Sequence, residues 1–226
     1  MKAWAKARGI NSAPQGTLNS FGYSVLVLHF LQRVEPPILP VLTSPLLQLR
    51  GRARQRALAA GLPAELSLPG HSLRSMSGVQ FEYHLHAARI LEGWGSDNPA
   101  SVAELFASFF EYYAAFDFEQ RVVPAFAPGE PLIKDEVEFY TNQGSALCLQ
   151  DPLDPHDNVS RNVGTSAAER IRGELSRAHR LVCEVGLKSV LTEICQAPSK
   201  NQRRGQRKEE RLRQKALEEE QNAAQS

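Results

Sequence analysis

Residues 150–159 read Gln-Asp-Pro-Leu-Asp-Pro-His-Asp-Asn-Val, and they are most informative when considered together with the opening stretch of the chain. That stretch, residues 1–11, reads Met-Lys-Ala-Trp-Ala-Lys-Ala-Arg-Gly-Ile-Asn, and it runs on into Gly-Thr-Leu-Asn-Ser-Phe-Gly-Tyr at 16–23. The pattern of residues 2–8 predicts a short helix that Gly9 stops, and Thr17 or Asn19 can cap a second helix. Taken alone, Asp-Pro and Pro-His-Asp-Asn are also typical of ordinary turns.

The opening stretch carries side chains that suit an anionic ligand. Lys2 and Lys6 are four residues apart and therefore share one face of a helix. Ser20 lies at a predicted helix start, where free N–H groups and a hydroxyl favour an anion. Phe21 follows directly, and an aromatic ring there can lie flat on a base. Each feature has an ordinary alternative: solvated lysines, a helix cap and a core aromatic.

In this order and at this separation, the two stretches resemble the helical half of RNA 3′-end nucleotidyltransferases. These are the poly(A) polymerases and terminal uridylyltransferases of the DNA polymerase-β-like superfamily. The resemblance implies that Lys2 and Lys6 contact a triphosphate, that Ser20 contacts a phosphate, and that Phe21 stacks on the base. Tyrosine is usual at this last position, so Phe21 keeps the stacking face and lacks the phenolic hydroxyl.

The 151–163 segment resembles the nucleotide-recognition loop of the same family. Asp151 and Asp154 match its acidic positions, and carboxylates at the rim of a pocket can accept hydrogen bonds from a base edge. In uridylyltransferases the residue before the equivalent of Asn158 is a histidine that discriminates uracil from adenine. Here that residue is Asp157, and the histidine is displaced to His156. The resemblance therefore leaves ATP and UTP both open as substrates.

A third segment, residues 98–114, resembles the helix that opens the poly(A) polymerase-associated domain. Ser101 and Glu104 form a predicted capping box at its start. Its apolar residues then recur at helical spacing: Leu105, Phe106, Phe109, Phe110 and Tyr113. An aromatic stripe can bind bases, but the regular spacing and the polar opposite face favour a core-packing role.

The metal-binding acids of this superfamily have no counterpart in the sequence. The family supplies them from a Gly-Ser loop, an Asp-x-Asp pair and a third carboxylate, and two metal ions then drive phosphoryl transfer. Neither an Asp-x-Asp pair nor a preceding Gly-Ser loop is present. We therefore expect the nucleotide-holding half of such an enzyme, without its catalytic palm and with no catalytic or metal-binding residue of its own. Mg²⁺ or Mn²⁺ is expected only together with the palm.

The pattern along the chain predicts a mainly α (α+β) fold. A helical domain at 1–197, including the associated region, would carry an arginine-rich insertion at 48–79, and 198–226 would be a charged tail, disordered or a lone helix. The remaining predicted elements are a helix at 80–92, short β-like runs at Val137–Tyr140 and Ala146–Leu149, and a long helix. That long helix would begin with a capping box at Ser166 and Glu169 and break at Gly186, and a last apolar helix would then run to about Cys195.

Composition limits the class of protein and its partners. The 226 residues are 42% hydrophobic and 23% charged with a net charge of +1, which fits a globular chain of ordinary size. Three cysteines without a Cys-x-x-Cys pair indicate a reducing compartment, cytoplasmic or nuclear rather than secreted. Expected partners are an RNA 3′ end and the palm, with neither membrane nor DNA. The alternative is a non-catalytic RNA- or protein-binding module derived from such an enzyme.

Overall fold

The structure is a computed structural model that describes residues 1–39, 71–74, 80–83, 95–124, 132–137, 139, 145–154, 156–199, 205 and 208. Its described helices are α1 (Lys2–Ala7), α2 (Ser20–Leu31), α3 (Val102–Ala115) and α4 (Thr165–Ile194), with 3-10 turns at Ala13–Gln15 and Lys134–Glu136. Two strands, β1 (His71–Arg74) and β2 (Gln80–Tyr83), pair antiparallel. The described residues are thus mainly helical, as the sequence predicts.

Local chemistry sets the ends of the first three helices. Gly9 has φ +69°, and the backbone N–H groups of Gly9 and Ile10 donate to the carbonyls of Lys6 and Ala5. This is the 6→1 and 5→2 bonding of a Schellman motif. The side chain of Asn19 caps α2 by accepting from Gly22 N at 2.8 Å. The predicted capping box at Ser101 is present at the start of α3.

One aromatic core joins the helices. Trp4 packs edge-on against Phe110 and Tyr23, with ring centroids 5.0 and 6.0 Å apart. The stripe on α3 is buried at Phe109, Phe110 and Tyr113, which confirms its packing role. Buried phenolic hydroxyls need acceptors, and they find them in backbone carbonyls. The hydroxyl of Tyr23 donates to Ile10 O and that of Tyr113 to Leu26 O, each at 2.8 Å.

A small β region lies beside α3 and leads to the 151–158 loop. Isolated bridges join Arg121 to Ile133 and, in parallel, Val123 to Leu149. Leu147 and Leu149 are buried in the same core as the aromatic residues of α3. Strand character therefore enters the predicted Ala146–Leu149 run only at its last residue.

Three sequence predictions differ from the structure. Residues 80–83 of the predicted 80–92 helix form β2, which pairs with β1 at the end of the predicted 48–79 insertion. At Val137–Tyr140, the described positions 137 and 139 are buried but are not in a strand. Helix α4 begins at Thr165 with Gly164 as N-cap, so the predicted capping box at Ser166 is wrong, because Ser166 lies inside the first turn.

The predicted break in α4 is confirmed. Gly186 has φ +69° and ψ 172°, which is not a helical conformation. The chain then returns toward the first part of α4, because Arg177 donates to Ile194 O at 2.7 Å. Ile194 is fully buried in the core. The rest of the insertion, residues 84–92 and the 198–226 tail apart from 198, 199, 205 and 208 lie outside the described residues.

Candidate nucleotide-binding site

Helix α1 has one exposed basic face and one buried face. Lys2 and Lys6 are exposed and form no ion pair with any described residue. Trp4 and Arg8, also four residues apart, are buried on another side of the same helix. The two lysine ammonium groups are therefore accessible from solvent on the face that does not pack against the core.

The start of α2 presents a hydroxyl and an aromatic ring. The hydroxyl of Ser20 accepts a hydrogen bond from the side-chain amide of Asn11 at 3.2 Å. This bond joins the segment after α1 to the first turn of α2. Phe21 is 43% exposed, whereas phenylalanine side chains are mostly buried in folded proteins. A base could reach its ring without any rearrangement of the core.

The predicted nucleotide-recognition loop is a closed turn. Asp151 N donates to Asp157 O at 3.1 Å, and Asp157 N donates to Asp154 O at 2.8 Å. The carboxylate of Asp151 accepts from Leu153 N at 2.7 Å, while that of Asp154 accepts from His156 N at 3.3 Å. These side-chain to backbone bonds are the Asx turns expected of aspartate in a tight loop.

Asn158 supports this loop from beneath. Its side chain is completely buried, and its amide oxygen accepts from Leu149 N and Ser160 N at 3.1 and 3.0 Å. Its amide nitrogen donates to Leu147 O at 3.0 Å. Because these polar atoms are engaged inside the protein, Asn158 holds the loop in shape and presents none of them at the surface.

Asp157 is paired with an arginine. Both of its carboxylate oxygens lie within hydrogen-bond distance of Arg161, at 2.8 and 2.7 Å from one guanidinium nitrogen. Both side chains are partly exposed, so the pair lies at the surface. The carboxylate of Asp157 is thus held by a neighbouring cation four residues further along the chain.

The two predicted segments belong to one packed unit. A Cβ placed on Gly16 would lie 3.8 Å from Asn162 O, so the turn before α2 touches the chain just after the loop. Ile10 and Leu18 share the core cluster with Leu149 and Val163, which flank the loop. Two cavities of about 670 and 490 Å³ lie elsewhere, along α4, and none of the predicted site residues lines either of them.

Sequence reasoning missed a buried ionic cluster between α1 and α4. Glu174 accepts two hydrogen bonds from Arg8 and one from Arg177, each at 2.8 Å. Arg8 also donates to the carbonyl of Gln196, just beyond α4. Burial alone would raise the pKa of Glu174, but the two guanidinium groups outweigh it and lower that pKa below its ordinary value. The sequence feature that could have indicated this buried cluster is the spacing of Arg8 from Trp4, which places both on the same helical face.

A buried histidine was missed as well. His29 Nδ1 donates to Pro124 O at 3.1 Å, so Nε2 accepts from the Tyr112 hydroxyl at 2.9 Å. Burial, and secondly the positive charge of Arg33, lower the pKa of His29 to about 3. The ring is therefore neutral at physiological pH and joins α2, α3 and the β region as a structural element.

The described residues contain no group of three or more His, Cys, Asp or Glu side chains placed to hold a metal ion. Among the helices in the described ranges, none combines the length and the apolar character needed to span a bilayer.

Comparison with known proteins places the chain in a family. Residues 101–157 match the Cid1 family of poly A polymerases. The chain is 30% identical over 179 residues to the mitochondrial poly(A) RNA polymerase of Drosophila melanogaster, covering 79% of this chain and 25% of that protein. It is 32% identical over 197 residues to the terminal uridylyltransferase cid1 of Schizosaccharomyces pombe, covering 80% of this chain and 42% of that protein.

Solved structures agree with this placement. The structure of Cid1 with its short product ApU superposes with a TM-score of 0.65 at 28% identity, over 87% of this chain and 56% of that one. A second Cid1 poly(U) polymerase structure gives a TM-score of 0.59 at 32% identity, over 80% and 49% of the two chains. This chain spans 25% and 42% of the lengths of these two curated relatives. It belongs to the family of poly(A) polymerases and terminal uridylyltransferases over the region that these comparisons cover.

Proposed function

We propose that this chain is the nucleotide-binding part of an RNA 3′-terminal nucleotidyltransferase, which adds AMP or UMP to RNA 3′ ends. The metal-binding carboxylates would come from a catalytic palm domain. The observation that carries this proposal is a set of solvent-accessible side chains, with Lys2, Lys6 and Phe21 exposed and Ser20 half-buried, on elements that share a core with the residues flanking the 151–158 loop. These groups match the chemical demands of a nucleoside triphosphate one by one.

The triphosphate would lie against α1 and the start of α2. A triphosphate carries several negative charges, and ammonium groups with a hydroxyl and free helix N–H groups can neutralise and bind them. Lys2 and Lys6 supply the charge, and no described carboxylate competes for them. Ser20 supplies the hydroxyl at the helix start, where Asn11 orients it.

The base would lie between Phe21 and the loop. Phe21 offers a stacking surface, and Asp151, Asp154, His156 and Asp157 lie on a turn whose shape is fixed by internal hydrogen bonds. Asn158 would act as a positioning residue, because its buried amide holds the loop against the core. Such pre-ordering lowers the entropic cost of binding.

Base choice depends on which loop side chain faces the base edge. A carboxylate accepts hydrogen bonds and cannot donate them, so Asp157 would favour the 6-amino group of adenine over the O4 acceptor of uracil. His156 could instead donate to uracil O4. We propose that Asp157 faces the base, since Arg161 fixes its orientation, and that ATP is preferred.

The proposal is tested by titrating the 226-residue chain with ATP and with UTP in a calorimeter. We expect saturable binding that the Lys2→Gln/Lys6→Gln variant weakens about tenfold or more, because two charge-assisted contacts are lost. Arg172→Gln, which removes an exposed arginine elsewhere, is the control and should bind as the wild type does. Equal affinities for all three proteins would contradict the site.

Base choice has its own test. The Asp157→His variant should shift the ratio of ATP to UTP affinity toward UTP, because a ring N–H can donate to uracil O4 whereas a carboxylate cannot. His156→Ala serves as the matched change in the same loop. If His156→Ala abolishes UTP binding and Asp157→His leaves the ratio unchanged, His156 rather than Asp157 selects the base.

A further inference from the structure

A cavity of about 670 Å³ runs along one face of α4, away from the proposed nucleotide site, and we call it the arginine groove. Five arginines and three glutamates line it, so its charge is positive. Arg8 reaches it from α1, on the side of that helix that does not carry Lys2 and Lys6. The side chains that line the arginine groove are therefore different from those of the proposed nucleotide site.

The spacing along α4 concentrates positive charge on the groove. Arg170, Arg177 and Arg180 are seven and three residues apart, which places them along one helical face. Between them Gly173 has no side chain, and a Cβ there would meet no atom within 4 Å. The helix backbone at Gly173 is thus open to a ligand that lies along the groove.

Some of these charges lack a carboxylate partner. Arg8 and Arg177 share the single carboxylate of Glu174, which leaves one positive charge on that trio. Arg170 donates to Gly9 O at 3.2 Å, and its Nε is buried without a hydrogen-bond partner. Arg180 is exposed and forms no ion pair within the described part of the chain.

Aromatic side chains also line the groove. Of Tyr113, Phe116 and Phe118, the first and last are buried, and the half-buried Phe116 offers the accessible ring. Single-stranded nucleic acids are bound by this combination, in which cationic side chains follow the phosphates and aromatic rings stack on bases. The volume also falls within the range of about 300–1,000 Å³ that holds small ligands.

We propose that the arginine groove binds single-stranded RNA, with phosphates on Arg170 and Arg180 and a base against Phe116. The choice of RNA rests on the proposed function, in which an RNA strand is the substrate. In that setting the groove holds part of the strand away from the nucleotide, which would keep the RNA attached while its 3′ end is extended.

The test measures binding of a fluorescein-labelled eight-nucleotide oligouridylate to the 226-residue chain by anisotropy, at several salt concentrations. The Arg170→Gln/Arg180→Gln variant should bind about tenfold more weakly. The slope of log affinity against log salt should fall by roughly 1.4, about 0.7 for each lost phosphate contact on a single strand. Its affinity for ATP and UTP should not change.

The matched control is Lys2→Gln/Lys6→Gln, which also removes two positive charges but lies outside the groove. It should bind the oligouridylate as the wild type does and lose nucleotide affinity. If it keeps nucleotide affinity while the arginine variant loses RNA, the proposed function fails and the groove stands. If the arginine variant binds RNA normally, or both variants lose RNA equally, the groove proposal is overturned.

Further measurements separate RNA from other anions. Arg180→Glu changes only an exposed side chain, so it should weaken RNA binding more than Arg180→Gln while the melting temperature of the protein stays the same. If UMP at the same phosphate concentration competes as well as the oligouridylate does, the proposal that the groove binds a strand is overturned. Equal competition by a polyglutamate peptide would indicate an acidic protein partner instead of RNA.

Discussion

His29 lies at a point where α2, α3 and the β region meet, and its neutral ring bonds in two directions. Nδ1 donates to Pro124 O and Nε2 accepts from Tyr112. A protonated ring would lose the Tyr112 contact and carry an uncompensated buried charge. The residue therefore makes the fold sensitive to acid through a group with no part in the proposed site.

The pH dependence of stability follows from the direction of this shift. The pKa of His29 is lowered to about 3 in the fold and lies near 6.5 in the unfolded chain. Between these values the unfolded state binds one more proton, so the free energy of unfolding falls as pH falls. This group alone should make the protein roughly 2 kcal/mol less stable at pH 5 than at pH 7.5.

His29→Gln isolates this effect, because glutamine can bond to both neighbours and does not titrate. Urea denaturation of wild type and variant at pH 7.5, 6.5 and 5 should give free energies that converge as pH falls. The carboxylates titrate alike in the two proteins and cancel in the difference. Parallel curves would show that His29 is not a neutral buried group.

Glu174 is a second buried residue whose charge state affects the stability of the fold. Its carboxylate accepts from Arg8 and Arg177 inside the protein, so removing its charge leaves a buried guanidinium without a counter-ion. Glu174→Gln should destabilise the fold by about 3–5 kcal/mol. Arg172→Gln breaks the exposed pair with Glu119 and should cost less than about 1 kcal/mol. Similar costs in chemical denaturation would contradict the burial of the cluster.

Within α4, alanine substitutions at two glycines should have opposite effects on the free energy of unfolding. Gly186 has φ +69° and ψ 172°, a conformation that only glycine adopts readily, while Gly173 lies within the helix. Neither meets an atom within 4 Å of an added Cβ, so backbone conformation alone decides the outcome. Gly186→Ala should cost about 1–3 kcal/mol, and Gly173→Ala should gain about 0.5–1 kcal/mol.

Melting temperatures of these two variants measure the prediction directly. Gly186→Ala should melt lower than the wild type and Gly173→Ala higher. The contrast depends on the break in α4, because an unbroken helix would make the two substitutions equivalent. A rise in both melting temperatures would show that α4 continues through Gly186.

The elements also show where sequence patterns suffice. Ser101, and Asn19 as one of two candidates, can be identified as caps from the sequence. Each precedes a helix, and its side chain accepts from a nearby backbone N–H, which is a purely local interaction. Ser166 satisfies the same pattern, but the N-cap of α4 is Gly164, two residues earlier. In β2, Gln80–Tyr83 alternates polar and aromatic residues, a period that fits a strand and was missed within a longer helical pattern.

For the whole molecule, the family was recognised from two motifs about 150 residues apart. Contacts between distant residues were not predicted. Arg8 and Glu174 are separated by 166 positions, and His29 and Pro124 by 95. No local pattern encodes such pairs, since each is made only when the complete fold brings the partners together. Sequence motifs are enough to propose the residues of a nucleotide site, whereas the arginine groove requires the folded structure, because its side chains come from distant parts of the chain.

The proposed site requires that the N-terminal segment and the 151–158 loop contact one nucleotide. Photo-crosslinking with 8-azido-ATP, followed by mass spectrometry of the labelled peptides, tests this requirement, because the azide reacts with groups near the base. We expect label on the peptide that contains Phe21 and on the peptide that contains Asp157, both suppressed by excess ATP. Suppressible label confined to α4, or to one segment without the other, would contradict it.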